Sequence, residues 1–291
     1  MAVQQESFNL GVTAVMLPEL DFDEQIALCR ETGVTHYSLR PRVIPAEERG
    51  KPYSNWGNHK FDLTPERLVK EAGTIRRRLS DAGLTPFGTL PHATVASSDD
   101  ELKLHFEGAA AVGAGRVRVA PESYPAGVFD YEAALRRAID GYGRAAALAK
   151  PYGLKIVIET HALSLASSPG LAWNICRHFD PAQVGVIFDL SNFACEGMLQ
   201  PNLAVSVIGR WIDHCHVGGQ RRTIGGRDAQ GFRRAGIETC SVTESDLYLP
   251  DWLVAMLAAG IVVPLVIEDF IPDLPGAERL RQSATALRSC L

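Results

Sequence analysis

Short runs of apolar and β-branched residues alternate along this chain with longer stretches in which apolar positions recur every three or four residues. The short runs predict buried strands and the longer ones amphipathic helices. Phe8 to Met16 is predicted as the first strand and Phe22 to Thr32 as the first helix, closed by Gly33. Val34 to Arg40 is the second strand, followed by a long polar loop from Pro41 to Asp62. Thr64-Pro65-Glu66 has the form of a capped helix start, and that helix runs to Asp81.

The alternation continues with strands at Thr85 to Leu90 and Arg116 to Ala120, and helices at Asp99 to Val112 and Tyr131 to Tyr152. The fifth strand ends at Glu159, with its helix over about Leu171 to Phe179, and the sixth ends at Asp189. A short helix near Leu203, a strand ending at His216, a helix from about Ser245 to Ala259, a strand ending at Glu268 and a helix from Gly276 complete eight units. That count matches the spacing of about 30 residues per unit when about 250 residues make eight. No linker or low-complexity stretch divides the chain. Strands apolar on both faces require a helix-covered parallel sheet. The prediction is an α/β protein, a single (β/α)8 TIM barrel over residues 1–291.

Three strands share an ending: Ile156-Val157-Ile158-Glu159, Val186-Ile187-Phe188-Asp189 and Leu265-Val266-Ile267-Glu268 each run from apolar residues onto a carboxylate. One such carboxylate reads as a helix cap or a solvated loop residue. Parity gives the three together a different meaning. If Glu159 points inward, Ile156 and Ile158 face the helices; Asp189 inward sends Val186 and Phe188 outward; Glu268 inward does the same for Leu265 and Ile267. In Asp213-His214-Cys215-His216 the two histidines share one face of a strand, with His216 at its end and His214 a layer deeper. Glu159, Asp189, His216 and Glu268 are therefore predicted at the C-terminal mouth, where such barrels keep their chemistry. Converging carboxylates repel unless a cation neutralises them. A divalent metal fits, with Mn²⁺, Mg²⁺ and Co²⁺ suited at least as well as Zn²⁺; the alternative is a salt-bridge network with nearby arginines.

Composition narrows the class. A net charge of −5 argues against a nucleic-acid partner and leaves a small molecule or a protein. Six scattered cysteines without a CxxC pair suggest thiols in a reducing compartment. Cys215 is expected to face the helices and be inert. Neither a leader pattern nor an apolar run of membrane-spanning length is present, so the expected location is cytoplasmic and no membrane partner is expected.

The order Glu159, Asp189, His214-Cys215-His216 and Glu268 resembles the xylose isomerase-like barrel superfamily, which includes ketose 3-epimerases, hydroxypyruvate isomerase and endonuclease IV. The resemblance covers nearly the whole chain. It implies that Glu159, Asp189, His216 and Glu268 are metal ligands, that Glu159 and Glu268 double as acid and base, and that Arg222 binds substrate oxygens. Where a histidine usually follows the aspartate by three residues, this chain has Asn192, which hydrogen-bonds but takes no proton at neutral pH. Endonuclease IV needs more histidines and a second Asp-x-His after the strand-seven motif, and none stands between Gly218 and Gly260.

These features predict a divalent-metal-dependent isomerase or epimerase, with Mn²⁺ as first choice, acting on a ketose or sugar acid through an enediolate on the metal. The alternatives are a decarboxylase of a 3-oxo sugar acid using the same site, a metal-dependent lyase or hydrolase, and a non-catalytic partner subunit; a homo-oligomer is compatible with each. Arg40 and Arg222 are placed where a guanidinium can hold a carboxylate or phosphate. His59, His92 and His161, in loops after strands two, three and five, are further candidates for substrate contact. Trp56, Phe87 and Trp211 read as core or pocket wall. The gap between His216 and Glu268 is nearly twice the two ligand gaps before it, and its first part, about 218–245, is rich in glycine and arginine. It predicts a loop that closes over the mouth, or contacts a second subunit, and delivers Arg222.

Overall fold

The computed structural model describes residues 8–196 and 200–291. The elements in chain order are β1 (Leu10–Thr13), α1 (Phe22–Glu31), β2 (His36–Leu39), α2 (Pro65–Asp81), β3 (Thr85–Thr89), α3 (Asp99–Val112), β4 (Arg116–Arg118), α4 (Tyr131–Ala149) and β5 (Lys155–Glu159). They continue with α5 (Pro169–Cys176), β6 (Val184–Asp189), α6 (Leu190–Glu196), α7 (Pro201–Ile208), β7 (Ile212–Val217), β8 (Gly219–Arg227), β9 (Arg233–Cys240), α8 (Leu249–Ala258), β10 (Leu265–Ile267) and α9 (Gly276–Cys290). Strands β1 to β7 and β10 close in parallel as a barrel in chain order, with β10 between β7 and β1. This is a single (β/α)8 TIM barrel.

Local chemistry sets the element ends. Asp21 and Glu24 form a reciprocal capping box at the start of α1. At α2 the Thr64 hydroxyl accepts from the Arg67 amide, with Pro65 in the first turn. The inward and outward parity of the strands is equally definite. Ile156, Ile158, Val186, Phe188, Cys215, Leu265 and Ile267 belong to the main core, while Val157 and Ile187 form a separate buried cluster with Leu90 inside the barrel. Cys215 Sγ lies 3.7 Å from Met256 Sδ of α8, facing the helices, and burial pushes its pKa up.

Two stretches differ from the sequence expectation. The first is α6, which starts directly after Asp189. Its apolar residues merge with those of β6, so periodicity shows no boundary there. The second is the stretch after β7, predicted as a loop. Much of it is the antiparallel hairpin β8–β9, paired from Gly219↔Cys240 out to Arg227↔Arg233. Its glycines obscure the alternation that would have marked strands. No helix among the described residues is long and apolar enough to cross a membrane.

Candidate metal centre

The ends of β5, β6 and β7 and the residue after β10 bring Glu159, Asp189, His216 and Glu268 together, each offering one ligand atom within 4.8 Å of the others. His216 is completely buried. Its Nδ1 lies 2.9 Å from Glu159 Oε1, 2.9 Å from Glu268 Oε2 and 3.9 Å from Asp189 Oδ2. Neither ring nitrogen has an aligned hydrogen bond. A buried imidazole whose nitrogens lack aligned partners, beside three carboxylates, is a donor set suited to a divalent cation.

Each carboxylate has a distinct environment. The Arg118 guanidinium lies 3.0 Å from Glu159 Oε2. Burial would raise the Glu159 pKa, but Arg118 and His216 outweigh it and hold the group well below the usual carboxylate range. Asp189 is pushed up to about 6, mainly by burial, with Glu159 and Glu268 adding repulsion and His216 opposing. Burial would depress the His216 imidazole, but Glu268 and Glu159 hold it well above its ordinary value. Glu268 is the most accessible of the four, with its side chain 13% exposed.

Asp189 is also held by its own helix. Its Oδ1 accepts from the Asn192 amide at 3.1 Å and the Ser191 hydroxyl at 2.9 Å, and its Oδ2 accepts from Asn192 Nδ2 at 2.6 Å. Oδ1 thus caps the helix, while Oδ2 faces His216 Nδ1 at 3.9 Å. Asn192 Oδ1 in turn accepts from the Ala162 amide at 3.2 Å, tying the loop after β5 to α6. The Thr160 hydroxyl accepts from the Asp189 amide at 2.9 Å. On the other side Gly218 lets the chain leave β7 against Glu268, because a Cβ there would collide with the Glu268 carbonyl oxygen.

These groups line one face of a cavity of about 230 Å³ at the barrel mouth. Arg40, His92 and Trp56 line the same cavity, and Gln220 and Thr239 at the hairpin base also reach it. Trp56 packs on Phe270 with ring centroids 4.9 Å apart. His161 and Asn192 line the same space. Among the expected substrate contacts, His59 and Arg222 do not line it. His59 is buried in its loop and donates from Nε2 to the Asn55 carbonyl at 3.1 Å. Arg222 is exposed on the hairpin, where its amide donates to Asp246 Oδ2 at 2.6 Å. Arg118, one of several strand-end and loop basic residues in the sequence, and Phe270, which periodicity does not mark, also line the cavity. Register could have found Arg118, since β4 pairs Arg118 with Val157, two residues before Glu159.

The family model described as "Xylose isomerase-like TIM barrel" matches residues 26–290. The chain belongs to this family. No curated protein sequence matches the chain. Among solved structures with this family's barrel, an L-ribulose 3-epimerase superposes with a TM-score of 0.69 at 13% identity, covering 98% of this chain and 95% of the other. The IOLI protein with a zinc atom gives 0.70 at 16% identity, covering 97% and 98%. A xylose isomerase-like TIM barrel protein from Mycobacterium smegmatis in complex with magnesium gives 0.66 at 16%, covering 98% of each chain. At these identities the likeness is one of fold.

Proposed function

We propose that this protein is a divalent-metal-dependent isomerase or epimerase of a small polyhydroxy carbonyl compound, a ketose or sugar acid. The observation that carries the reading is the cluster of Glu159, Asp189, His216 and Glu268 around imidazole nitrogens that lack aligned hydrogen bonds. Those four residues would hold the metal, with Mn²⁺ first among Mg²⁺, Co²⁺ and Zn²⁺. The bound cation would act as a Lewis acid, lowering by several kcal/mol the cost of placing negative charge on a substrate carbonyl oxygen. Membership of a family whose fold an L-ribulose 3-epimerase shares supports the reaction class.

The protein's side chains divide the remaining work. Glu268, the most accessible carboxylate, meets the substrate from the mouth, while Arg118 keeps Glu159 ionised. One glutamate takes a carbon-bound proton and the other returns one, which gives an epimer or an isomer according to where the proton is delivered. Thr160, Ser191 and Asn192 fix Asp189, so that only Glu159 and Glu268 need to change protonation. The hairpin β8–β9 acts as a lid: its base already lines the cavity, and closure would exclude water and carry Arg222 inward. Deleting 225–236 should then lower turnover while leaving metal binding intact.

The primary test is metal analysis of the purified protein, followed by incubation of the Mn²⁺-loaded form with ketoses and oxo sugar acids in D2O. Deuterium in the carbon skeleton of a product isomeric with its substrate is the expected result. Release of CO2 would redirect the reading to decarboxylation on the same residues. Failure to bind any divalent metal after reloading would overturn it.

A further inference from the structure

Arg40, the residue after β2, is 8% exposed. Its Nη2 donates to His92 Nε2 at 2.8 Å and its guanidinium lies 5.2 Å from the Trp56 ring centroid. Its Nε has no hydrogen-bond partner. Among the described residues it is within 4.0 Å of no carboxylate, whereas Arg118 in the same cavity pairs with Glu159 at 3.0 Å. Arg42, two residues on, donates from Nη1 to the Trp56 carbonyl at 2.9 Å and from Nη2 to the Gly57 carbonyl, which fixes the loop that presents Trp56.

A buried guanidinium without a counter-charge is costly. Burial, with repulsion from Arg42, lowers the Arg40 pKa to about 10 despite the longer-range pull of Glu268 and Glu159, so the group remains cationic at neutral pH without a carboxylate in contact. His92, lowered to about 4 by burial and by Arg40, is neutral and cannot be the missing charge. Charge balance in the cavity points the same way. A divalent cation and Arg118 together balance Glu159, Asp189 and Glu268, and Arg40 is left without a counterpart. The substrate can supply it.

We propose that the Arg40–His92–Trp56 wall is an oxyanion subsite, and that the substrate of this enzyme carries a carboxylate or phosphate in addition to the reacting carbonyl. The inference rests on the isomerase or epimerase reading for the rest of the substrate. The guanidinium offers its remaining Nη hydrogens to the anion as charge-assisted donors. His92, accepting from Arg40 at Nε2, carries its own proton on Nδ1 and fixes the guanidinium plane. The cavity of about 230 Å³ lies below the range of about 300–1,000 Å³ usual for drug-sized ligands. It suits a sugar acid or a sugar monophosphate rather than a nucleotide.

The test is calorimetric binding of 2-keto-D-gluconate, D-fructose 6-phosphate and neutral D-fructose to the Mn²⁺-loaded protein, its Arg40→Gln variant and its Arg40→Lys variant. At least one anionic probe should bind about tenfold or more tighter than D-fructose, as expected of hydrogen bonds to a charged group. Arg40→Gln should erase that difference and leave D-fructose unchanged, while Arg40→Lys keeps part of it. Whichever probe wins identifies carboxylate or phosphate. Thermal melts in anion-free buffer should show Arg40→Gln at least as stable as the parent, which separates a binding role from a structural one. Equal binding of all three probes, no binding of any, or equal loss of anionic and neutral probes in Arg40→Gln overturns the subsite. Turnover of a neutral ketose with no Arg40-dependent anion binding would remove the subsite and leave the isomerase reading. Arg40-dependent binding without turnover of any ketose or oxo acid would do the reverse.

Discussion

The two ends of the same barrel handle charge in opposite ways. At the N-terminal end Asp213 lies 2.8 Å from Arg116 Nε, 2.8 Å from Lys155 Nζ and 2.8 Å from His214 Nδ1, and Phe87 packs against both His214 and the Arg116 guanidinium. One carboxylate there has more than enough partners of opposite sign. At the C-terminal end three carboxylates crowd a single imidazole, and Arg118 is in contact with one of them. The floor is arranged for the folded state; the mouth departs from local electrostatic preference, and such departures concentrate at functional sites. The contrast yields variants that should respond differently at the two ends.

The largest effect is expected at the mouth. Glu268→Gln, which keeps shape and removes the proton-accepting charge, should lower turnover by roughly 100-fold or more, the scale of a lost general acid or base. In the metal-free form the loss of Glu268 as a partner of His216, 2.9 Å away, opposes the relief of carboxylate repulsion, so its melting temperature should change little. Glu159→Gln should lower turnover similarly but leave Arg118 without its partner. Parallel measurements of kcat and melting temperature check this; a Glu268→Gln enzyme with near-parental turnover would remove Glu268 from the acid and base pair.

The floor should give the inverse pattern. Asp213→Asn removes the common partner of two cations and a histidine, and breaking a buried pair costs about 3–5 kcal/mol. Burial would raise the Asp213 pKa, but His214, Arg116 and Lys155 hold it well below the carboxylate range. A depressed folded-state value means that the stabilisation is fully present above the unfolded value of about 3.9 and is lost as pH falls through the folded one. Urea unfolding at several pH values should therefore show parent and Asp213→Asn far apart at pH 7 and converging in strong acid. A constant gap would mean that the carboxylate charge is not what stabilises the floor.

Gly218 joins the mouth to the fold. A methyl group there meets the Glu268 carbonyl, so Gly218→Ala should displace Glu268 and cost about 100-fold in kcat/KM, the scale of a misplacement of about 1 Å. The cost in stability should be smaller than that of Asp213→Asn. A variant that melts early but keeps full turnover would show that the close approach serves packing alone.

The sequence carried the barrel because eight apolar runs recur at one spacing, and it carried the convergence of Glu159, Asp189, His216 and Glu268 because strand parity is rigid. It did not carry Asp213. Strict alternation puts Asp213 with Cys215 on the helix side, but a register shift between β6 and β7 pairs Ile187 with His214 directly after Val186 with Ile212. Asp213 becomes the extra residue of a bulge and reaches Arg116 and Lys155 instead. Bulges leave no periodic trace. The positions of Arg222 and His59 were equally hidden: both lie where hairpin geometry and loop hydrogen bonds, rather than periodicity, set the direction of a side chain.

Asn192 tests the smallest difference between the two ends, the one made by a single amide. It contributes no charge, yet it donates to Asp189 Oδ2 at 2.6 Å and accepts from the Ala162 amide at 3.2 Å, so it orients one of the proposed ligands while linking two segments of the mouth. Groups that orient a metal ligand in this way typically account for about 10–100-fold in metal affinity. Asn192→Ala should weaken Mn²⁺ binding by that factor, measured by competition with a chelator, and change the melting temperature of the metal-free protein little. Asn192→Asp should be worse than alanine, since a fourth carboxylate beside Asp189 adds repulsion where the amide donated a hydrogen bond. If alanine and aspartate bound Mn²⁺ as tightly as the parent, Asp189 would be held by Ser191 and the helix amide alone, and its capping role would outrank its role as a ligand.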